Sequence, residues 1–264
     1  MMCPKRQGPL MASSPNTASR IAEIVREQDD GTRVSEVRIG LGYTAVELED
    51  HRAGVAYTFR EEARGGCSVF RKLRPIAGRH TSDLLALLPS DDPIEAAVGL
   101  ACANALVNVA RPGFHEGDVL RHFELRSDDH VGMVGYFGPL VEILRERAGS
   151  LTVFEKVSTP SRLTRPWVEA VDHLPRCQVA LITATSIINH TVDRLLEAAA
   201  DCREVVILGA STPLLEAAFV PNRVTLLSGV VVQDPESILR IVSEGGGMQY
   251  FGPHVTKVSL RIEA

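Results

Sequence analysis

The chain has 264 residues, 45% of them hydrophobic and 23% charged, with a formal net charge of −5. That balance describes a globular protein with room for two domains. It provides no basic surface for DNA or RNA, and no 18-residue apolar run that could cross a membrane.

Residues 1–16, "MMCPKRQGPLMASSPN", are basic and rich in Pro and Ser but lack an apolar segment, so they read as a disordered tail, not a secretory signal. A helix follows in "TASRIAEIVREQ", where Ile21, Ile24 and Val25 recur at helical spacing behind Thr17 or Ser19 as cap. "RVSEVRIGL", "AVELED" and "GVAYTF" alternate apolar and polar residues around the turn "HRAG", which predicts short strands and a hairpin. A short helix, "TSDLLALLP", precedes a longer one, "SDDPIEAAVGLACANALVNVA", with Ser90 or Asp91 near its cap and Pro93 in its first turn. The small residues of the longer helix allow another backbone to approach closely, and Asn104 and Asn108 lie one turn apart on it. Residues 17–127 therefore read as a small α+β domain, ending in the polar, Gly- and Pro-bearing stretch 111–130.

From residue 128 to 264 the pattern alternates strictly. "VGMVGYF", "LTVFE", "QVALITA", "EVVILGA" and "VTLLSGVVV" are nearly continuous apolar runs, as expected of parallel strands buried on both faces. Between and after them, "PLVEILRERA", "RPWVEAVDHL", "TVDRLLEAAA", "TPLLEAAF" and "DPESILRIVS" predict helices. The fold class is α/β: a Rossmann-like doubly wound sheet behind a smaller α+β domain. A last run, "VTKVSLRI", predicts an edge strand or a return to the first domain.

In such sheets ligands bind at the carboxyl ends of the strands. Gly135, Tyr136, Phe137 and Gly138 follow the first strand, and Pro139 suits the first position of a helix whose free N–H groups favour an anion. Glu155 ends the second strand 20 residues after Gly135, the spacing of a ribose-binding acid. The glycines do not form G-x-G-x-x-G, and the aromatic pair would crowd a pyrophosphate, which S-adenosylmethionine lacks. "TATSIINHT" (183–191) and "GASTPLLE" (209–216) concentrate hydroxyls and amides at the next two strand ends, through capping, ligand contact or both. His190 is the imidazole nearest this edge, and no His-x-x-x-His, nucleophile elbow, phosphate loop or Cys–His pairing is present. Five cysteines without a C-x-x-C pair exclude a zinc ribbon and argue for a reducing cytoplasm.

Together, "AAVGLACANALVN", "VGMVGYFGPLVE", "LTVFEK", "ALITATSIINHTVDRLLE" and "VVILGASTPLLEAAF" resemble the heavy-metal-chelation family. The resemblance spans roughly residues 30–260. It implies a domain like the N-terminal domain of enolase joined to a Rossmann-like domain, with a ligand site where they meet. The family pattern falls on Asn104, Gly135, Phe137, Glu155, Thr183, Thr185, Asn189, Gly209, Ser211 and Pro213. Soft-metal chelation calls for thiolates or imidazoles, and His190 is the only imidazole in these motifs.

The expected function is an enzyme that binds an adenosine-containing ligand, S-adenosylmethionine ahead of NAD, and acts on a small substrate. Gly135, Tyr136, Phe137, Gly138, Glu155, Thr183, Thr185, Asn189 and Ser211 would hold the cofactor, and Asn104 and Thr212 the substrate. The alternative is a non-catalytic binder of a divalent transition metal or its chelate, with His190 as ligand. The expected partner is a small molecule, with no nucleic acid or membrane and with a homodimer as the candidate assembly.

Overall fold

The structure is a computed structural model describing residues 16–62, 69, 70, 73–156, 161 and 163–263. Of the tail expected over 1–16, only Asn16 is among the described residues. Its side chain caps α1 (Thr17–Gln28) by accepting the Ser19 amide at 2.8 Å, the role expected of Thr17 or Ser19. β1 (Val34–Ile39), β2 (Tyr43–Leu48) and β3 (Ala53–Tyr57) form an antiparallel sheet in that order. α2 (Thr81–Leu85) leads to α3 (Pro93–Val107), which Asp92, not Ser90 or Asp91, caps through the Ile94 and Glu95 amides.

The small residues of α3 let it lie directly on β3. A β-carbon on Gly54 would sit 2.2 Å from the Ala105 nitrogen and 2.3 Å from the Ala101 oxygen, so only glycine fits there.

The remaining strands are β4 (His115–Glu116), β5 (His130–Val134), β6 (Ser150–Glu155), β7 (Thr164–Pro166), β8 (Val179–Thr183), β9 (Glu204–Leu208), β10 (Leu226–Val232) and β11 (Val255–Arg261). They form one sheet in the order β4-β11-β10-β9-β8-β5-β6-β7. Strands β5 to β10 run parallel, while β11 is antiparallel to both β10 and β4. The fold is a Rossmann-like doubly wound sheet with a smaller α+β unit, as the apolar runs implied. The helices of this half are α4 (Gly138–Arg147), α5 (Ala170–His173), α6 (Thr185–Ile188), α7 (Val192–Ala198), α8 (Pro235–Ser243) and α9 (Met248–Phe251). None of the described helices is long and apolar enough to cross a membrane.

Alternate residues of the parallel strands feed two cores. Val131, Met133, Leu181 and Val206 pack with Val141 and Leu144 of α4. Ala180, Ile182, Val205 and Ile207 belong to a core continuous with Ile21, Val25, Leu100 and Ala103 of α1 and α3. The small unit thus shares a hydrophobic core with one face of the large sheet. The other face of the small sheet, through Ala45 and Val55, packs with Ile238 and Val242 of α8.

Two buried amides stitch this seam. Asn104 Nδ2 donates to the Val55 oxygen at 2.9 Å and the Ser211 oxygen at 3.2 Å. Asn108 Nδ2 donates to the Thr212 oxygen at 2.9 Å and the Val230 oxygen at 3.2 Å, and its Oδ1 accepts the Leu214 amide at 2.8 Å.

Three expectations are revised. "TPLLEAAF" forms no α-helix, only a 3₁₀ turn at Glu216–Ala218, because Asn108 captures the Leu214 amide and the Thr212 carbonyl. "VTKVSLRI" is neither an edge nor part of the small sheet, since β4 covers the outer side of β11. The stretch before residue 128 already belongs to the large unit: β4 pairs with β11, and Val119, Leu120 and Phe123 pack into the α4-side core.

At the opposite end of the sheet from the strand carboxyl termini, buried Asp129 accepts from Arg203 at 2.7 and 3.0 Å and from the Arg126 amide at 2.7 Å. Burial works to raise the Asp129 carboxyl, but the Arg203 guanidinium and the Arg126 amide outweigh it and hold the group below the usual carboxylate range. Its contribution is complete above the unfolded carboxyl value of about 3.9 and is lost as pH falls through the lower folded value. We expect urea denaturation to show stability falling below about pH 4, with a shallower fall in Asp129→Asn, which is itself less stable at pH 7 by about 3 kcal/mol. Asn108→Ala strands two carbonyls and one amide in the seam and should cost about 2–4 kcal/mol in the same assay.

Candidate functional site

The strand order reverses around β5, which has β6 on one side and β8 on the other. A crevice opens at this switch point, beyond the carboxyl ends of the strands. Gly135 leaves β5 with φ +90°, and a β-carbon there would meet the Thr183 β-carbon at 2.9 Å. Its amide donates to the Phe154 oxygen at 2.8 Å, keeping the turn close to β6. The Phe137 ring then lies across the glycine ends of β5 and β9, at 3.5 and 3.7 Å from where β-carbons on Gly135 and Gly209 would stand. Behind Pro139, α4 begins without a side-chain cap, leaving its first turn to a ligand or solvent.

Glu155 is fixed from both sides. Its Oε2 accepts the Tyr136 amide at 3.0 Å and its Oε1 the Lys156 amide at 2.8 Å. Each oxygen keeps a lone pair for a further donor. On the β8 side, the Thr183 and Thr185 hydroxyls lie 3.0 Å apart, and Asn189 Oδ1 accepts from the Thr191 hydroxyl at 2.7 Å. Among the described residues no acceptor meets Asn189 Nδ2.

The small unit supplies the facing wall. Tyr57, at the end of β3, is anchored by its amide donating to Ser211 Oγ at 2.9 Å. Phe59 packs edge-to-face on Tyr57 at 5.0 Å, and a 3₁₀ turn, Arg60–Glu62, follows. Trp167, after β7, lines a third side. The cavity, open to solvent on one side, is about 680 Å³, within the usual range of small-molecule sites.

Two family models, both described as "Putative heavy-metal chelation", match residues 22–107 and 118–261. The chain belongs to this family. Its division between residues 107 and 118 agrees with β4 opening the large unit. An uncharacterized protein of Methanocaldococcus jannaschii is 23% identical over 253 residues, which cover 92% of this chain and 96% of that protein. Crystal structures of family proteins of unknown function share the fold. That from Desulfitobacterium hafniense has a TM-score of 0.77 at 24% identity, covering 92% of this chain and 98% of its own. That from Pyrococcus horikoshii has a TM-score of 0.81 at 24% identity, covering 93% and 100%.

Of the residues carrying the family resemblance, Gly135, Phe137, Glu155, Thr183, Thr185 and Asn189 line the cavity, as does Tyr136. Gly138 starts α4 just behind the Tyr136 ring. Asn104, Ser211 and Thr212 do not line it: all three are buried in the seam, Asn104 and Ser211 in the hydrogen bonds already described. Asn104 Oδ1 and Thr212 Oγ1 have no hydrogen-bond partner among the described residues. His190, in the left-handed region at φ +56°, directs Nε2 at the Ser90 carbonyl at 2.8 Å, so that nitrogen must carry the proton. Among the described residues no three His, Cys, Asp or Glu side chains converge as a metal would require.

The wall made by Tyr57, Phe59, Arg60, Glu61 and Glu62, together with Lys156 and Trp167, was not picked out in the sequence. The signal was there in "YTFREE", an aromatic-charged run leaving a strand, and in the only tryptophan of the chain. Gly135→Ala, forced into a positive φ against Thr183, should lose about 1–3 kcal/mol by urea denaturation. Gly138→Ala, whose β-carbon would meet only the Tyr136 ring at 3.5 Å, should stay within about 0.5 kcal/mol.

Proposed function

We propose that the crevice binds an adenosine-containing small molecule, S-adenosylmethionine ahead of NAD, and that the protein is an enzyme acting on a second small substrate. The observation that carries this reading is the make-up of the walls. Tyr57, Phe59, Tyr136, Phe137, Phe154 and Trp167 all line one cavity, in a chain whose residues are only 5% aromatic. Aromatic faces suit a planar base and a sulfonium cation. Among the described residues, three carboxylates (Glu61, Glu62, Glu155) against two cations (Arg60, Lys156) disfavour a pyrophosphate.

In this reading the free lone pairs of Glu155 accept the ribose hydroxyls, and the open first turn of α4 faces the ligand's carboxylate. Thr183, Thr185 and Asn189 supply polar contacts deeper in the cleft. A sulfonium carries its own leaving group, so the protein's part is to align two ligands and exclude water. That accounts for a site furnished with aromatic walls and backbone-anchored carboxylates.

The family description supports a second reading, a metal binder without catalysis. The Nε2–H of His190 donates to Ser90 and leaves Nδ1 as the ring's metal-binding atom, but no three candidate ligands converge among the described residues, so the ion would arrive as a preformed chelate held by the same walls. Elemental analysis of the purified protein distinguishes the two, stoichiometric transition metal favouring the chelate.

Trp167 is the only tryptophan and lines the cavity, so its fluorescence reports on occupancy. Titration with S-adenosylmethionine and S-adenosylhomocysteine should give a saturable change, weakened about tenfold or more in Glu155→Ala. A flat titration, or equal binding by the variant, overturns the reading.

A further inference from the structure

We propose that the outer half of the crevice is a recognition subsite for an alkylammonium group, and that Lys156 fills it from within while no ligand is bound. The proposal rests on the crevice being a small-molecule site, but not on the adenosine portion of the ligand. Lys156 leaves the end of β6 in the large unit and reaches across to the small one. Its Nζ lies 5.5 Å from the centroid of the Phe59 ring and pairs with the Glu62 carboxylate. An aromatic face beside a carboxylate is the combination that recognises an ammonium group. Here the protein's own ammonium marks the place.

The geometry lets that ammonium give way. The Lys156 and Glu62 side chains are 57% and 39% exposed, and an exposed pair of this kind is held weakly. The Phe59 ring does not depend on Lys156 for its position, because Tyr57 packs against it edge-to-face at 81° and Ser211 anchors Tyr57. Nor does Glu155, which holds the Lys156 backbone amide and not its side chain. When the lysine swings out, Arg60 is the one cation left beside Glu61, Glu62 and Glu155 among the described residues lining the cavity, and an incoming cation replaces the charge that left. The second substrate is therefore a molecule bearing a primary alkylamine, and Lys156 is its internal competitor.

The probe is n-butylammonium, the analogue of a lysine side chain, with 1-butanol as its neutral counterpart, followed by ligand-observed NMR. Lys156→Met keeps the aliphatic stem and removes the competitor. It should bind butylammonium about tenfold more tightly than the wild-type chain, and adding Glu62→Gln should reverse the gain. Butanol should show no gain. Equal affinity in Lys156→Met and wild type, binding to neither, or the same gain for butanol overturns the proposal. Titrating 5′-methylthioadenosine, which has no ammonium, into the same samples separates the two readings. Amine binding without nucleoside binding keeps this subsite and removes the adenosine reading, and the converse removes only this subsite.

Discussion

The docking of the small unit that walls the crevice depends on two amides buried at a helix of small residues. Asn104 and Asn108 sit one turn apart on α3, and between them they satisfy carbonyls of β3, of β10 and of the loop after β9. Buried polar groups of this kind are costly unless paired, so the seam has essentially one register. The alanines and Gly54 make the arrangement possible by letting the α3 backbone come within reach of β3. A bulkier helix would hold the carbonyls too far away. Specificity of assembly and closeness of packing are thus a single constraint.

From that constraint follows the shape of the ligand site. Fixing the loop after β9 places Ser211 under the Tyr57 amide, and Tyr57 in turn orients Phe59. The small unit's wall is therefore set by contacts buried beneath it. The opposite wall has an independent support: the Gly135 amide on Phe154 and the Glu155 carboxylate on two successive turn amides. Because the units share a continuous core, the cleft is already formed before anything binds. The crevice is thus preorganised, and the Lys156–Glu62 pair beside it is exposed.

The legible parts of this design were those written in local pattern. Apolar runs at β5, β6, β8, β9 and β10 disclosed a parallel sheet, and the turn from Gly135 to Gly138 with Glu155 marked its switch point. Strand-end polarity together with the family resemblance pointed to Thr183, Thr185 and Asn189, which line the cavity. The same polarity misplaced Ser211 and Thr212, because a hydroxyl after a strand looks alike whether it faces a ligand or a neighbouring domain. Tyr57, Asn104 and Asn108, all distant in sequence, decide the matter, and Asn108 also prevents the helix that "TPLLEAAF" suggests. The Tyr57–Glu62 wall was hidden for a related reason. Its residues reach the crevice through docking of one unit on the other, which no periodicity encodes.

The seam also bears on how the chain is made. Asn104 and Asn108 leave the ribosome long before residues 211–230, which they bond, and Thr17 waits for Asp193 at 3.0 Å. β4 waits longer still, since its partner in β11 lies at Val258 and Ser259. The nascent first half therefore emerges with unsatisfied amides and with half of its core absent, and it cannot settle alone. Until β11 appears, β10 also presents an open edge. The two halves therefore condense together, and β11 is the strand that closes the sheet between β10 and β4.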